Sequence, residues 1–254
     1  MASLTESRTA LVTGGGKGVG AGVVKALAAR GVRCCINCNT NPDMAQNTLR
    51  AVTEAGGEGF VFQADVSDPD QLEKMVKAVI RRWGRLDILV NNAALQPNLF
   101  IDQYDADTLK KIWNINIGGY FHAVRACLPY LRKSNCGRVV NISSIHGKRP
   151  TGFDAGYAMT KGAIRMFTRE LALELYRDGI TVNAIDLGGC KIEFKTGNAP
   201  ITAFSPMDCR NPAETTFRLV TPGDVGEMVC YLCSPEASAV TGDGIRLDKG
   251  YVLT

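Results

Sequence analysis

Short apolar runs alternate along the chain with segments in which apolar residues recur at helical spacing. The apolar runs predict seven strands: Thr9 to Thr13, Val32 to Asn37, Gly59 to Gln63, Leu86 to Asn91, Arg138 to Ile142, Thr181 to Ile185 and Gly244 to Leu247. The segments of helical period predict six helices: Val19 to Arg30, Pro42 to Ala55, Asp70 to Trp83, Asp107 to Lys133, Ala155 to Arg177 and Pro222 to Leu232. The alternation predicts an α/β, doubly wound fold, with a parallel sheet of about seven strands and helices on both faces.

The punctuation between these elements favours a single domain over residues 1–254. Ser67-Asp68-Pro69-Asp70, for example, combines a side-chain acceptor, an early proline and an acidic first-turn residue, which together favour a helix start. No linker or repeat interrupts the series. The irregular stretch from Gly188 to Thr221 is the exception, and we expect a substrate lid over residues 190–221, with a packed structural insertion as the alternative.

Composition and charge exclude several classes of partner. The chain is 45% hydrophobic and 21% charged, and its 29 basic and 25 acidic residues give a formal charge of +4. The basic residues are scattered, so no nucleic-acid partner is expected. No stretch approaches the roughly 18 apolar residues of a membrane span, and Met1 to Arg8 lacks an apolar targeting core. We therefore expect a cytoplasmic protein without a membrane partner.

Nine cysteines lie largely in apolar runs, where reduced cysteine behaves as a small hydrophobe, and they favour a reducing compartment. Two pairs, Cys35/Cys38 and Cys230/Cys233, have a spacing that zinc sites use. Cys35 and Cys38, however, fall in a predicted strand, where residues three apart point to opposite faces. No metal site is therefore expected.

A glycine-rich turn, Thr13-Gly14-Gly15-Gly16-Lys17-Gly18-Val19-Gly20, joins the first predicted strand to the first predicted helix. Glycines there permit a tight turn and let backbone N–H groups approach a pyrophosphate at the positive end of the helix. Glycine also serves ordinary turns, but the strand-turn-helix setting favours a dinucleotide site.

A second group of residues combines Ser144, Tyr157 and Lys161. Tyr157 and Lys161 are four residues apart and therefore share one face of a predicted helix. Ser144 follows the predicted strand that ends at Ile142, and the carboxyl ends of strands are where open α/β sheets bind ligands. A tyrosine is a poor base near neutrality unless a neighbouring cation favours its phenolate, and Lys161 supplies such a cation.

With these motifs in order, the chain resembles the short-chain dehydrogenase/reductase family over nearly its whole length. Asp65-Val66, Asn91-Asn92-Ala93 and Asn116 complete the resemblance. It implies a Rossmann-like fold in which Tyr157 is the general acid/base and Lys161 lowers the tyrosine pKa and holds the nicotinamide ribose. It also implies that Ser144 binds the substrate oxygen and that Asn116 supports a proton-relay water. The expected cofactor contacts are Gly14, Lys17, Gly18, Val19, Gly20, Asn39, Thr40, Asp65, Val66, Asn92, Ala93, Tyr157, Lys161, Leu187 and Gly188.

Charge at the end of the second strand favours NADP(H) as the cofactor. Asn39 stands where an acidic residue would repel the 2′-phosphate, and the resemblance implies a phosphate contact for Lys17, which could otherwise be a solvated surface lysine. Four residues depart from the family pattern near the nicotinamide end: Ala94, Leu187, Ile192 and Lys249. None of them removes a catalytic group.

The expected substrate is a small carbonyl compound or alcohol. Ile142 to His146 is similar to the corresponding stretch of bacterial glucose dehydrogenases, which favours a sugar or polyol, and neither His122 nor His146 is assigned a role. The alternatives are a 3-oxoacyl carrier-protein reductase and a dinucleotide-binding regulator without turnover. The family's usual assembly implies a homotetramer, and the stripe of Phe167, Leu171 and Leu175 must be covered by a partner or by the sheet.

Overall fold

Seven parallel strands form one sheet in the computed structural model, which describes residues 8–150, 152–192 and 219–253. The strands are β1 (Thr9–Val12), β2 (Arg33–Cys38), β3 (Gly59–Gln63), β4 (Ile88–Asn91), β5 (Arg138–Ser144), β6 (Thr181–Leu187) and β7 (Gly244–Leu247). Their order across the sheet is β3-β2-β1-β4-β5-β6-β7. The predicted doubly wound α/β fold is confirmed, and the order reverses direction between β1 and β4, where such sheets bind ligands.

Helices cover both faces of the sheet. Among the described residues the α-helices are α1 (Gly18–Ala28), α2 (Pro42–Glu54), α3 (Pro69–Trp83), α4 (Ala106–Trp113), α5 (Gly119–Leu131), α6 (Ala155–Leu175) and α7 (Pro222–Cys233). Short 3₁₀ turns are formed by Ile101–Gln103, Ile145–Gly147, Tyr176–Asp178, Pro235–Ala237 and Tyr251–Leu253. The helix start at Asp68 is confirmed, since its side chain accepts hydrogen bonds from the N–H groups of Asp70 and Gln71.

The single helix predicted from Asp107 to Lys133 is wrong in one respect. A π-helical turn over Asn114–Gly118 separates α4 from α5. The turn brings Asn116 into the interior, where its side chain bonds to the backbone of Leu95. Hydrophobic periodicity does not reveal this extra residue per turn, because the contact that stabilises it comes from a distant segment.

Strand alternation sends neighbouring side chains into two separate cores. Val12 packs with α1, α2 and α7 on one face, and Leu11 packs with α3, α5 and α6 on the other. Cys35 and Cys38 likewise belong to opposite cores, as the strand period predicts.

Two strands that lead to the sheet's carboxyl edge are longer than predicted. β5 continues through Ser143 and Ser144, and β6 continues through Asp186 and Leu187. Most of these residues are polar, as is typical of a loop. The two strands nevertheless pair with each other as far as Ser144 and Leu187, so the backbone N–H and C=O groups of these residues are hydrogen-bonded. The extension holds Ser144 rigidly at the edge of the sheet.

The stripe of Phe167, Leu171 and Leu175 packs against the core of its own chain, so the sheet and its helices cover it. Another apolar row on α6 stays exposed: Met159, Met166 and Leu173, spaced seven residues apart. The proposed substrate lid lies for the most part in residues 193–218, outside the described residues. At its flanks, Cys190 and Val220 form a parallel β-bridge.

Of the helices that the structure describes, none is both long and apolar enough to cross a membrane.

Candidate active site

The glycine-rich turn lies at the carboxyl end of β1, where the strand order reverses. The N–H of Gly14 donates to the Asn37 side chain (3.1 Å), and Gly14 and Gly18 have φ values of 61° and 54°, which glycine adopts without strain. A Cβ on Gly20 would lie 2.2 Å from the carbonyl oxygen of Gly14. The first turn of α1 can therefore pack this closely only with glycine, leaving its N–H groups at a surface suited to a pyrophosphate.

The two residues that follow β4 hydrogen-bond to this turn from its other side. Asn92 donates from Nδ2 to the carbonyl oxygens of Thr13 (2.9 Å) and Gly14 (3.0 Å). The N–H groups of Asn92 and Ala93 donate in return to the Thr13 hydroxyl, at 2.9 and 3.1 Å. The Asn92 and Ala93 motif thus fixes the shape of the glycine-rich turn, where the sequence predicts a dinucleotide site.

Ile192, one of the residues that depart from the family pattern, lies against the start of α1. A Cβ on Gly18 would be 3.3 Å from Ile192 Cγ2. The residue therefore brings an apolar side chain to the glycine-rich turn, beside the predicted pyrophosphate site.

At the other end of the crevice, Asn39 and Asp65 meet. Asn39 donates from Nδ2 to Asp65 Oδ2 (2.9 Å), and Ser67 donates to Oδ1 from both its N–H (2.8 Å) and its hydroxyl (2.6 Å). Burial opposes ionisation of Asp65, but these hydrogen bonds outweigh it and lower the pKa of the carboxyl. Asn39 is thus uncharged but hydrogen-bonds to the carboxylate of Asp65. The residue type at position 39 does not reveal this nearby negative charge.

The structure brings Ser144, Tyr157 and Lys161 together beneath the carboxyl edge of the sheet. All three side chains are buried, and the Ser144 hydroxyl is close enough to the Tyr157 phenol to oppose, by hydrogen bonding, the rise in the phenol pKa. Lys161 Nζ lies 5.4 Å from the centre of the Tyr157 ring and donates to the carbonyl oxygen of Ile142 (2.8 Å). Tyr120 donates to the same carbonyl oxygen (2.9 Å) and holds its ring beside the ammonium group.

Burial governs the protonation of this cluster. It raises the pKa of Tyr157 well above its usual value, against a smaller lowering by the Ser144 hydrogen bond, so the phenol carries its proton at neutral pH. Burial also lowers the pKa of Lys161 to about 7, against an opposing contribution from Asp186. The Tyr157 pKa therefore shifts in the direction opposite to the lowering expected from the lysine, because burial is the largest cause of the shift.

Asn116 occupies the π-helical turn and is fully buried. Its Oδ1 accepts from the N–H of Leu95 (2.8 Å), and its Nδ2 donates to the carbonyl oxygen of Leu95 (3.0 Å) and to the Thr160 hydroxyl (3.1 Å). The Thr160 hydroxyl donates to the carbonyl oxygen of Tyr157 (2.7 Å). The Asn116 side chain therefore ties the segment after β4 to the helix that carries Tyr157, and its role toward a relay water stays a prediction.

The remaining predicted contacts lie at the same edge of the sheet. Val19 is buried in the first turn of α1, Thr40 is exposed beyond β2, and Val66 packs on Gly119 at the start of α5. Leu187 ends β6, and the N–H of Gly188 donates to the carbonyl oxygen of Leu247 (3.0 Å). The structure also places the turn residue Lys17 at the start of α1.

Two features near the reactive cluster were not found from the sequence. The His146 ring stands edge-on to the Tyr157 ring, with centroids 5.6 Å apart, and burial lowers the pKa of the imidazole. The buried Asp186 pairs with Arg165 at 2.8 Å and favours the charged form of Lys161. The contact of His146 with Tyr157 could have been suspected from the position of His146, two residues after Ser144. The pairing of Arg165 and Asp186 left no local signal because the two residues are on different elements.

Known proteins share this arrangement of elements. A family model described as short chain dehydrogenase matches residues 8–200. The 3beta-hydroxysteroid dehydrogenase 1 of Eggerthella lenta is 32% identical over 254 residues, covering 98% of this chain and 95% of its own. The 3-oxoacyl-[acyl-carrier-protein] reductase of Synechocystis and glucose 1-dehydrogenase 2 of Bacillus subtilis are each 29% identical, covering 100% and 97% of this chain and 100% and 95% of their own.

Among solved structures, a short chain dehydrogenase from Burkholderia cenocepacia in complex with NADP superposes with a TM-score of 0.88 at 29% identity. The match covers 99% of this chain and all of that one. Similarity of this extent includes every strand and helix that borders the crevice.

Proposed function

The chain belongs to the short chain dehydrogenase family, and from this premise we propose that it transfers hydride between NADP(H) and a secondary alcohol or its ketone, with Tyr157 as the general acid/base. The family membership makes it an oxidoreductase of alcohols and ketones. The observation that carries the proposal is the buried cluster of Ser144, Tyr157 and Lys161 at the carboxyl edge of the sheet, where β5 ends against α6.

The residues present fit a dinucleotide. The space that a Cβ on Gly14 or Gly20 would fill is taken by backbone, so the turn keeps its N–H groups close to the surface of the crevice. Gly14, Gly18 and Gly20 would hold the pyrophosphate, Asn92 and Ala93 would border the ribose, and Lys161 would hold the nicotinamide ribose. The cofactor, when bound, supplies or accepts the hydride.

Ser144 and Tyr157 can together hold the substrate oxygen. In the reductive direction both hydroxyls donate to the carbonyl oxygen and polarise it. As the hydride adds to the carbonyl carbon, the Tyr157 proton moves to the oxygen, which yields the alcohol and leaves a phenolate. Lys161 then stabilises the phenolate by its charge until solvent returns the proton. The buried, protonated phenol suits this reductive role.

Cofactor choice depends on two opposing features. Lys17 lies at the start of α1 and favours a 2′-phosphate, as does the uncharged Asn39. The Asp65 carboxylate, at 2.9 Å from Asn39 Nδ2, disfavours it. We propose that NADP(H) is preferred, because the Asp65 carboxylate is already engaged by the Asn39 amide and Lys17 contributes the cation.

Titration of NADPH and NADH into the wild type, Lys17→Ala and Asn39→Asp tests this preference. The wild type is expected to bind NADPH at least tenfold more tightly, and both substitutions are expected to reduce that ratio. Lys25→Ala, which removes a lysine from the last turn of α1, is the control and should leave the ratio unchanged. Equal affinity of the wild type for the two cofactors would refute the proposal.

The similarity of the stretch Ile142 to His146 to that of bacterial glucose dehydrogenases supports a sugar or polyol as the proposed substrate. A 3-oxoacyl carrier-protein reductase is the second candidate, because the Synechocystis reductase aligns with the whole chain. A dinucleotide-binding regulator is less consistent with the site, since a protein without turnover has no need of a buried acid/base.

A panel of D-glucose with NADP⁺, ethyl acetoacetate with NADPH and a 3β-hydroxysteroid with NADP⁺, followed at the nicotinamide absorbance, separates these candidates. Faster turnover of glucose than of the two other compounds is the expected result. Preferential reduction of the keto ester would favour the carrier-protein reductase instead. Tight cofactor binding without turnover of any compound would favour the regulator.

A further inference from the structure

Asp154, the residue that precedes α6, has an unusual conformation for a buried acidic residue. Its φ is 58°, in the left-handed region that few residues other than glycine adopt, and its side chain is fully buried. Its carboxylate accepts from the Tyr104 hydroxyl and from the N–H of Asn98 (3.0 Å), and its own N–H donates to the carbonyl oxygen of Leu99 (2.9 Å). These partners satisfy Asp154 and hold the strained backbone in place.

Tyr104 reaches the start of α6 from a separate segment. A Cβ on Gly156 would lie 2.7 to 2.8 Å from the Tyr104 ring and hydroxyl, so only a glycine admits this contact. The Tyr104 hydroxyl thus lies against the first turn of α6, where hydrogen bonding from the backbone of Gly156 and Tyr157 opposes the rise that burial and Asp154 cause in its pKa. Asp154 makes no side-chain capping bond to its own helix. The Tyr104 hydroxyl therefore supplies the cap that Asp154 does not.

This cap acts on the residue that carries the proposed chemistry. Tyr157 is the third residue of α6 and lies in the first turn, which frays most readily when its N–H groups lack acceptors. A displacement of a reacting group by about 1 Å can reduce the rate about 100-fold. The direction of the Tyr157 phenol thus depends on how firmly this turn is held.

We propose that Tyr104 and Asp154 form a positioning pair that fixes the first turn of α6 and directs the Tyr157 phenol toward Ser144. The inference rests on the proposed function of Tyr157 as general acid/base. Asp154 orients the Tyr104 hydroxyl, and that hydroxyl holds the N–H of Tyr157. The pair also connects α6 to Asn98 and Leu99, so the segment after β4 and the catalytic helix keep one relative position.

Steady-state kinetics of Tyr104→Phe, Asp154→Asn and the double variant test the pair, with NADPH and the panel ketone that the wild type reduces fastest. We expect kcat to fall about tenfold or more in each single variant, while KM for both substrates stays within about twofold. Because the two residues act through one contact, kcat of the double variant should be no lower than kcat of the less active single variant. Asp105→Ala, which removes the cap of the neighbouring α4, is the matched control and should keep the wild-type kcat.

A spectroscopic measurement makes the test independent of turnover. With tyrosine labelled by ¹³C at Cζ and Tyr157 assigned through Tyr157→Phe, we expect the Tyr157 resonance to shift or broaden in Tyr104→Phe and Asp154→Asn but not in Asp105→Ala. Gly156→Ala, which displaces the Tyr104 ring, should reproduce the effect should either polar variant fold poorly.

An unchanged Tyr157 resonance together with an unchanged kcat in these variants would overturn the inference, even if their melting temperatures fell. If the wild type reduces no ketone, the proposed function fails, and the resonance of Tyr157 still decides whether the pair positions it.

Discussion

Replacement of Tyr157 by phenylalanine removes the proposed proton donor and little else. The side chain is buried, and the substitution deletes one hydroxyl and its hydrogen bond with Ser144. The Ser144 oxygen keeps the N–H of His146 as a partner at 3.2 Å, so the loss of stability should be about 1 kcal/mol. The fold and the cofactor site are therefore expected to persist.

The effect on catalysis should be far larger. Loss of a positioned general acid reduces the rate about 10²- to 10⁴-fold, which corresponds to about 3–5 kcal/mol in the barrier. Ser144 alone can polarise the carbonyl through its hydrogen bond, but this does not replace the proton transfer from Tyr157. We therefore expect kcat of Tyr157→Phe to fall at least about 100-fold, while the dissociation constant for NADPH stays within about threefold.

The assay measures NADPH consumption for kcat and quenching of protein fluorescence for cofactor binding. Tyr176→Phe makes the same chemical change at an exposed tyrosine and should retain full activity. If Tyr157→Phe kept more than about a tenth of the wild-type kcat, the assignment of Tyr157 as the general acid/base would be wrong.

Three other predictions follow from the same geometry. The pKa of Lys161 is about 7 in the folded protein and near 10.5 in the unfolded chain, so between these pH values the unfolded state binds more protons and the free energy of unfolding rises with pH. In urea unfolding, the free energy of unfolding of the wild type relative to Lys161→Met should rise by about 2 kcal/mol from pH 7 to pH 9. A difference that stays constant with pH would contradict this. Gly20→Ala should weaken NADPH binding at least about tenfold, since its Cβ would meet a carbonyl oxygen at 2.2 Å, whereas Gly223→Ala, whose Cβ has 3.6 Å of room, should bind normally. The exposed apolar row on α6 predicts an assembly, expected to be the tetramer; light scattering should show that Met166→Glu lowers the molecular mass, and a monomeric wild type at micromolar concentration would exclude the assembly.

The sequence by itself determined the features that depend on neighbours along the chain. The periods of two and 3.6 residues located the strands and helices, because side-chain direction follows backbone conformation locally. The glycine-rich turn after β1 and the four-residue spacing of Tyr157 and Lys161 were visible for the same reason. Since a parallel sheet brings the carboxyl ends of its strands to one edge, these local signals also indicated that Ser144 would lie near them.

Only the tertiary structure decided what these residues experience. Asp65 is 26 positions from Asn39, and Tyr104 is 50 positions from Asp154, yet each pair is in hydrogen-bond contact. The pKa shift of Tyr157 also departed from the local expectation, because desolvation is caused by every element packed around a side chain, whereas spacing reports only the nearest charge. Contacts between distant segments, and the burial they create, depend on how the whole chain packs, and a pattern along the chain does not contain them.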